Sequence, residues 1–144
     1  MVVKKQESIS RLLKNFVSSQ SNVEIAFLYS RQGLLISKYG NLKMDNQRMS
    51  DDEVEGIHGA ISSLIEDLLE KVSFEYKIGH FGTGSFETPE NRIIFLEAGP
   101  EAILLCVCGY ETDLNKLFPI AYLVVEKIAQ ILEDSFDLRH SSLE

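Results

Sequence analysis

The sequence has few cysteines, no long apolar run and little positive charge, and each scarcity excludes a class of protein. It contains two cysteines in 144 residues, and one residue separates Cys106 from Cys108, so the loop between them is too short to favour a disulfide. No stretch approaches the ~18 apolar residues of a transmembrane helix. The first residues, MVVKKQESISRLL, lack the apolar stretch of a secretory signal. We therefore expect a reduced, cytoplasmic protein without a transmembrane segment, in which both cysteines are core residues.

Acidic residues outnumber basic ones. The chain has 22 Asp plus Glu against 14 Lys plus Arg, which gives a formal net charge of −8. A chain this acidic repels phosphate backbones unless a basic patch overrides the mean, so we expect no nucleic-acid partner. Hydrophobic residues make up 44% and charged residues 25%, as is typical of a globular chain. The length suits one domain, which we place at residues 1–133, followed by a polar tail at 134–144.

The motifs that identify common enzymes and metal sites are missing from the sequence. There is no Gly-Lys-Ser/Thr, and the stretch around Gly82 and Gly84 does not complete Gly-x-Gly-x-x-Gly because Glu87 stands at its last position. Gly-x-Ser-x-Gly and His-Glu-x-x-His do not occur. The three histidines are scattered and no second cysteine pair is present, so no zinc site is predicted. We expect a non-enzymatic protein without a cofactor or a metal.

Hydrophobic periodicity predicts an α+β fold. The predicted elements, in chain order, are a helix at 4–19, strands at 23–30 and 34–39, a helix at 50–72, strands at 79–87, 92–98 and 101–109, and a helix at 113–133. Short turns join the strands, so the five strands form an antiparallel sheet. Two strands, 23–30 and 101–109, are apolar on both faces, which requires helices on both sides of the sheet. The fold class is therefore a three-layer sandwich with the order helix-strand-strand-helix-strand-strand-strand-helix.

Three local details of these elements are also predicted. Strict alternation along the first strand places Val23, Ile25, Phe27 and Tyr29 on one face, and Ala26 and Leu28 on the other. Gly33 follows Arg31 and Gln32 in the first hairpin turn, where a positive φ is needed. In the last helix Thr112 is expected as the N-cap, and Pro119 is expected to kink the first turns or to mark a helix start near Lys116.

The second helix carries two rows of residues. It begins with a capping box, Ser50 to Glu53, whose acidic residues suit the positive end of the helix dipole. Its bulky apolar stripe, expected to face the sheet, consists of Val54, Ile57, Ile61, Leu64, Ile65, Leu68, Leu69 and Val72. Beside it runs a row of small residues, Gly56, Gly59, Ala60 and Ser63. Each glycine costs ~1 kcal/mol against alanine in a helix, so the row indicates close approach, either to the chain's own sheet or to a partner.

Two further segments have both an ordinary and a functional interpretation. The glycine-rich strand 79–87 is either simply flexible or an edge strand left open for pairing, because it contains neither lysine nor proline, the usual guards of an exposed edge. The first helix is locally basic through Lys4, Lys5, Arg11 and Lys14. Its polar face is either solvated or in contact with an acidic partner or a lipid surface.

From Ile9 to about Leu132 this order of elements resembles the roadblock/dynein light chain family. The resemblance rests on the first hairpin, IAFLYSRQGLLIS, on the long helix after a polar loop, and on the run from RIIFLEA through AILLCVCG to TDLNKL. Pro119 departs from the expected pattern. The resemblance implies a non-enzymatic module that forms homodimers, or heterodimers with a paralogue, and that acts as a scaffold or regulator of a small Ras-like GTPase.

In such dimers the third strands pair across a two-fold axis and the second helices lie side by side. By this resemblance the dimer interface falls on the glycine-rich strand, at Gly79, Phe81, Gly82, Thr83 and Gly84. The small-residue row, Gly56, Gly59, Ala60 and Ser63, is then the predicted partner-binding surface. Two alternatives are a small-ligand sensor, which would need a pocket with convergent polar groups, and a longin-type trafficking module, which begins with a strand rather than a helix.

Overall fold

A computed structural model of the chain describes residues 2–40, 64, 67, 71 and 83–143. Helix α1 spans Val2–Ser19, and strands β1 and β2 span Val23–Ser30 and Leu35–Gly40. Strands β3, β4 and β5 span Thr83–Glu87, Asn91–Glu97 and Ala102–Gly109, and helix α2 spans Leu114–Leu143.

The five strands form one antiparallel sheet in the order β2-β1-β5-β4-β3. Strand β5 lies in the centre and β1 beside it, and β5 is buried from Ala102 to Cys108. Strands β2 and β3 form the two edges. The α+β class with a five-stranded antiparallel sheet is therefore confirmed.

The sheet has an apolar core on each face. Both described helices pack on the first face, where Leu13 and Phe16 of α1 and Ala121 of α2 meet Leu28 and Leu104 of the sheet. The hydroxyls of Ser10 and Ser37 lie 3.1 Å apart and join α1 to β2. The buried cluster of the second face contains residues of β1, β4 and β5, with none from α1 or α2: Ile25, Phe27, Tyr29, Leu105 and Val107, with Ile93 at its margin. Burial on both faces agrees with the apolar character of β1 and β5.

The predicted turns form, each for a local reason. Gly33 adopts a φ of 85° and its N–H donates to the carbonyl of Ser30 at 2.9 Å. Between β3 and β4 the Thr88 N–H donates to the carbonyl of Asn91 at 2.9 Å, which closes a two-residue turn. Gly99 has a φ of 77° between β4 and β5, in the left-handed region that glycine enters without a steric penalty.

One face assignment in β1 was wrong. Val23 belongs to the first-face core with Ala26 and Leu28, not to the second face with Ile25. The pairing of β1 with β5 shifts register between Val23 and Ile25. This bulge adds one residue to β1, and an added residue moves the preceding side chain to the opposite face.

The start and the end of α2 also differ from the predictions. Asp113, not Thr112, is the N-cap, because its carboxylate accepts a hydrogen bond from the Asn115 N–H at 3.1 Å. The Thr112 hydroxyl instead donates to the carbonyl of Gly109 at 2.6 Å. Pro119 lies inside the helix, so it does not mark the start. The helix continues to Leu143, past the predicted end at residue 133, because polar residues extend a helix without adding to its apolar stripe.

The predicted second helix, residues 50–72, lies outside the described residues except at three positions. Leu64, Asp67 and Lys71 are helical and exposed. Their spacing of three and four residues places them on one side of the helix. Leu64 is 68% exposed, so its assignment to a buried, sheet-facing stripe was wrong. A stripe of eight apolar residues does not reveal from sequence alone which members reach the sheet.

Candidate interaction surfaces

Strand β3 forms one edge of the sheet, as the interface prediction requires. Thr83 and Gly84 are half-buried and lie opposite Leu96 and Phe95 of β4. In the strand order, β3 has a neighbour on one side only. Its outer backbone groups therefore face away from the sheet, as in any edge strand. The other three predicted interface residues, Gly79, Phe81 and Gly82, lie outside the described residues.

Beside the backbone pairing of β3 with β4, one arginine side chain contacts both this edge and the residue that follows β5. Arg92 of β4 lies opposite Glu87 of β3, with 3.6 Å between its Nη2 atom and the Glu87 Oε1 atom. Its guanidinium also sits over the ring of Tyr110, 5.1 Å from the ring centroid, in the geometry of a cation–π contact. Arg92 was not predicted as a functional residue from the sequence. The sequence signal that could have indicated this contact is the pair of opposite charges, Glu87 and Arg92, on either side of the Thr88–Asn91 turn.

A second cross-strand ion pair lies at the other end of β4. The Arg31 Nη2 atom is 3.1 Å from the Glu97 Oε1 atom, and both side chains are about three-quarters buried. Arg31 belongs to the β1–β2 turn, so the pair joins this turn to the end of β4.

The predicted partner-binding row, Gly56, Gly59, Ala60 and Ser63, lies outside the described residues. Leu64, the next residue, is described, and more than half of its side chain is exposed. Asp67 and Lys71 share its side of the helix and are also exposed. This side therefore presents one large apolar residue and two opposite charges.

The two cysteines are core residues, as predicted. Cys106 and Cys108 are free, buried, and part of the first-face core. Burial, reinforced by neighbouring Cys108, raises the pKa of the Cys106 thiol well above its ordinary value. Burial, and then the charge of Glu24, raises the pKa of Cys108 to about 12. Both thiols are therefore protonated at neutral pH and are poor ligands or nucleophiles. The described residues contain no group of three metal-ligating side chains.

Two open cavities border α1. One, of about 490 Å3, is lined by Gln6, Glu7, Ser10 and Arg11, all of which are exposed. The other, of about 380 Å3, lies between α1 and α2. A small-ligand site buries most of its ligand among apolar walls, and a cavity lined by exposed polar side chains does not. The first cavity therefore does not support the sensor alternative.

No helix in the described part of the chain combines the length and the apolar character that crossing a bilayer requires. This finding covers α1, α2 and the three helical positions between β2 and β3.

Sequence comparisons return no matches, whereas structure comparisons return many. No family profile matches the chain, and no curated protein matches it. Among solved structures, one described as MglB with tetrameric arrangement has a TM-score of 0.77 at 15% identity, over 90% of this chain and 91% of that one. The gliding protein MglB from Thermus thermophilus has a TM-score of 0.76 at 15% identity, over 90% and 92% of the two chains.

A third solved structure, a Roadblock/LC7 domain from Streptomyces avermitilis, has a TM-score of 0.74 at 19% identity. The match covers 86% of this chain and 97% of that one. The likeness therefore extends over nearly the whole of both chains, and at these identities it shows a shared fold.

Proposed function

Because the chain has the roadblock fold, we propose that it is a non-enzymatic, dimeric interaction module that binds or regulates a small Ras-like GTPase in the cytoplasm. The observation that carries the proposal is the match to a Roadblock/LC7 domain over 86% of this chain. The family resemblance supplies the partner class. The net charge of −8 argues against a nucleic-acid partner.

The first part of the proposal is self-association, with the same chain or with a paralogue. Among the strands that the structure describes, β3 has a neighbour on one side only, and a second copy of β3 would extend the sheet across a two-fold axis. The width of the sheet favours the same arrangement. Five strands ~4.8 Å apart span ~20 Å, whereas one helix is ~10 Å wide. A second chain would bring its own copy of the predicted second helix to the second face, which α1 and α2 do not cover.

The second part of the proposal is the location of the GTPase contact. We place it on the small-residue row Gly56, Gly59, Ala60 and Ser63, where a partner can come close to the helix backbone. The exposed side chain of the adjacent Leu64 supports a contact with another chain on this helix. In a dimer, two such helices side by side would present one continuous surface.

The experiment compares the parent protein with Ala60→Arg. Each protein, immobilised, is incubated with cytosol supplemented with GTP or GDP, and the captured small GTPase is then purified for affinity measurement. If the row is exposed, Ala60→Arg folds with a stability within ~0.5 kcal/mol of the parent. It loses GTPase binding, because an unpaired charge is forced into a close, desolvated contact.

Two controls separate the possible outcomes. Lys71→Arg, on the same predicted helix but outside the small-residue row, conserves charge and is expected to keep full affinity. Dimer mass and melting temperature are measured for every variant. Unchanged GTPase affinity in a folded Ala60→Arg dimer would remove the row from the binding surface. An unfolded or monomeric Ala60→Arg protein would assign the row to the core or to the dimer contact instead.

A further inference from the structure

The groove between α1 and α2 combines an apolar floor with a polar rim. Its lining residues are Ser8, Arg11, Leu12 and Asn15 of α1, and Lys127, Gln130 and Ile131 of α2. Leu12 and Ile131 are half-buried and pack against the first-face core. The polar lining residues stand at its rim. A groove of this kind suits an amphipathic helix, because the apolar side of the helix contacts the floor while its polar side stays at the rim.

The groove is long enough for more than one helical turn. On α1 its residues recur at spacings of three and four over two turns, so they form one continuous stripe. On α2 the same spacing extends from Lys127 back to Leu123 and Ile120, which are 59% and 37% exposed. The α2 wall therefore continues as exposed apolar surface beyond the cavity itself. A helix of two or more turns could contact the whole stripe.

The charge of the groove is opposite to that of the chain. Of the described residues that line it, the two charged ones are positive, Arg11 on one wall and Lys127 on the other, whereas the whole chain carries −8. Among the described residues neither of these side chains has an ion-pair or hydrogen-bond partner. Each is free to receive a carboxylate from another molecule, and such a pair becomes stronger as water is excluded from the groove.

We propose that this groove binds an acidic amphipathic helix of a partner protein. The apolar side of that helix would contact Leu12 and Ile131, and its carboxylates would pair with Arg11 and Lys127. The protein would then hold two partners at separate surfaces, so the proposal goes beyond GTPase binding and does not depend on it. A flat membrane fits less well, because the apolar floor is recessed between exposed polar side chains.

The test selects binders without assuming which charges they carry. A phage library of helical peptides, with leucine fixed at one face and all other positions varied, is selected on the full-length protein. Enriched peptides are expected to carry Asp or Glu beside the leucines. Their affinity, measured by fluorescence anisotropy, is expected to fall by at least about ten-fold in Arg11→Glu/Lys127→Glu and to weaken as salt is raised.

Matched variants distinguish the effect on affinity of charge within the groove from the effect of the net charge of the protein. Lys14→Glu/Lys71→Glu makes the same charge change at exposed positions outside the groove lining and outside the α2 stripe, and Arg11→Lys/Lys127→Arg keeps the groove positive. Both are expected to retain affinity within about three-fold. If the reversed-charge variant fails to fold, Arg11→Gln/Lys127→Gln replaces it, with a smaller loss expected.

Three results would overturn the proposal. The first is enrichment of neutral or basic peptides. The second is an equal loss of affinity in Arg11→Glu/Lys127→Glu and in Lys14→Glu/Lys71→Glu. The third is groove-dependent binding of phosphatidylserine vesicles by the parent protein in the absence of any enriched acidic peptide, which would make the surface a membrane contact.

Discussion

Two glycines in the sheet differ sharply in the space around them. Gly40, at the end of β2, has a φ of 113°, and a side chain there would place its Cβ atom 2.8 Å from the Cα atom of Ile25. The obstruction is backbone of the neighbouring strand, which cannot move without breaking the pairing. At Gly109, the end of β5, an added Cβ atom would lie 4.0 Å from the Asn22 carbonyl oxygen, an ordinary contact.

Alanine substitution should separate these two positions. Gly40→Ala is expected to lower the free energy of unfolding by at least ~2 kcal/mol, because backbone strain and a collision act together. Gly109→Ala, the matched control, is expected to stay within ~0.5 kcal/mol of the parent. Urea denaturation followed by circular dichroism measures both. Equal stability of the two variants would show that β1 and β2 do not approach each other as described.

The core position of the cysteines determines how the thiols react. At pH 8 a thiol with a pKa of about 12, such as that of Cys108, is ionised in ~1 molecule in 10,000. We expect the native protein to react very slowly with Ellman's reagent, and the protein in guanidinium chloride to release two equivalents at once. Fast reaction of the native protein would place at least one thiol outside the core.

The same pKa shift predicts a stability change at high pH. The folded-state pKa of Cys108 lies above the ordinary value of a thiol, so the folded protein holds this proton more tightly than the unfolded chain. The contribution to stability is therefore complete below pH ~9 and is lost progressively as pH rises towards ~12. Cys108→Ala removes the titrating group, and its unfolding free energy should fall less steeply over this range in urea titrations.

At the scale of an element, α2 is anchored at its start by a single side chain. The Asp113 carboxylate accepts the hydrogen bond from the Asn115 N–H, and the Asp113 carbonyl accepts one from the Leu117 N–H at 3.1 Å. Pro119 lies one turn further on and has no N–H to donate, so the carbonyl four residues before it receives no such bond. The first turns of α2 therefore depend on the cap more than those of an uninterrupted helix.

Removal of this cap should destabilise the protein measurably. Asp113→Ala is expected to lower the free energy of unfolding by ~1 kcal/mol, because it removes both the hydrogen bond and a negative charge at the positive end of the helix. Glu111→Ala, an exposed acidic residue outside the helix, serves as control with little change expected. Thermal melting compares the two. A larger loss in Glu111→Ala would assign the cap elsewhere.

Prediction from sequence succeeded for features that a local residue pattern determines. It failed for features that depend on contact with a distant element of the chain. The bounds of β1, Val23–Ser30, were predicted as observed, because apolar residues on both faces and flanking turn residues define a central strand. The face predicted for Val23 was wrong, because the bulge that moves its side chain to the other face arises from pairing with β5. The exposure of Leu64 likewise depends on which surface its helix packs against. The groove was missed because its walls come from opposite ends of the chain.

At the scale of the whole molecule, the open edge of β3 is the feature that bears on assembly. We expect a homodimer, with a mass near twice 16.3 kDa by light scattering coupled to size exclusion at micromolar concentration. Thr83→Pro should shift the protein towards monomer, since proline removes an N–H at the edge but is tolerated at the first residue of a strand. Thr83→Val, which keeps the N–H, should remain dimeric. A monomeric parent protein would contradict the proposed interface.

The central position of β5 in the sheet also determines the order in which the strands can pair during folding. The β1–β2 hairpin and the β3–β4 hairpin each form from neighbouring segments, but β5 lies between them and joins β1 to β4. During synthesis the two hairpins cannot become one sheet until residue 109 has left the ribosome. The pairing of β5 with β1 brings Ser30 beside Ala102. It closes the long loop between these two residues, and the entropy cost of that closure slows folding. Until then one edge of β1 is unpaired, and the nascent chain is at its most vulnerable to misassembly.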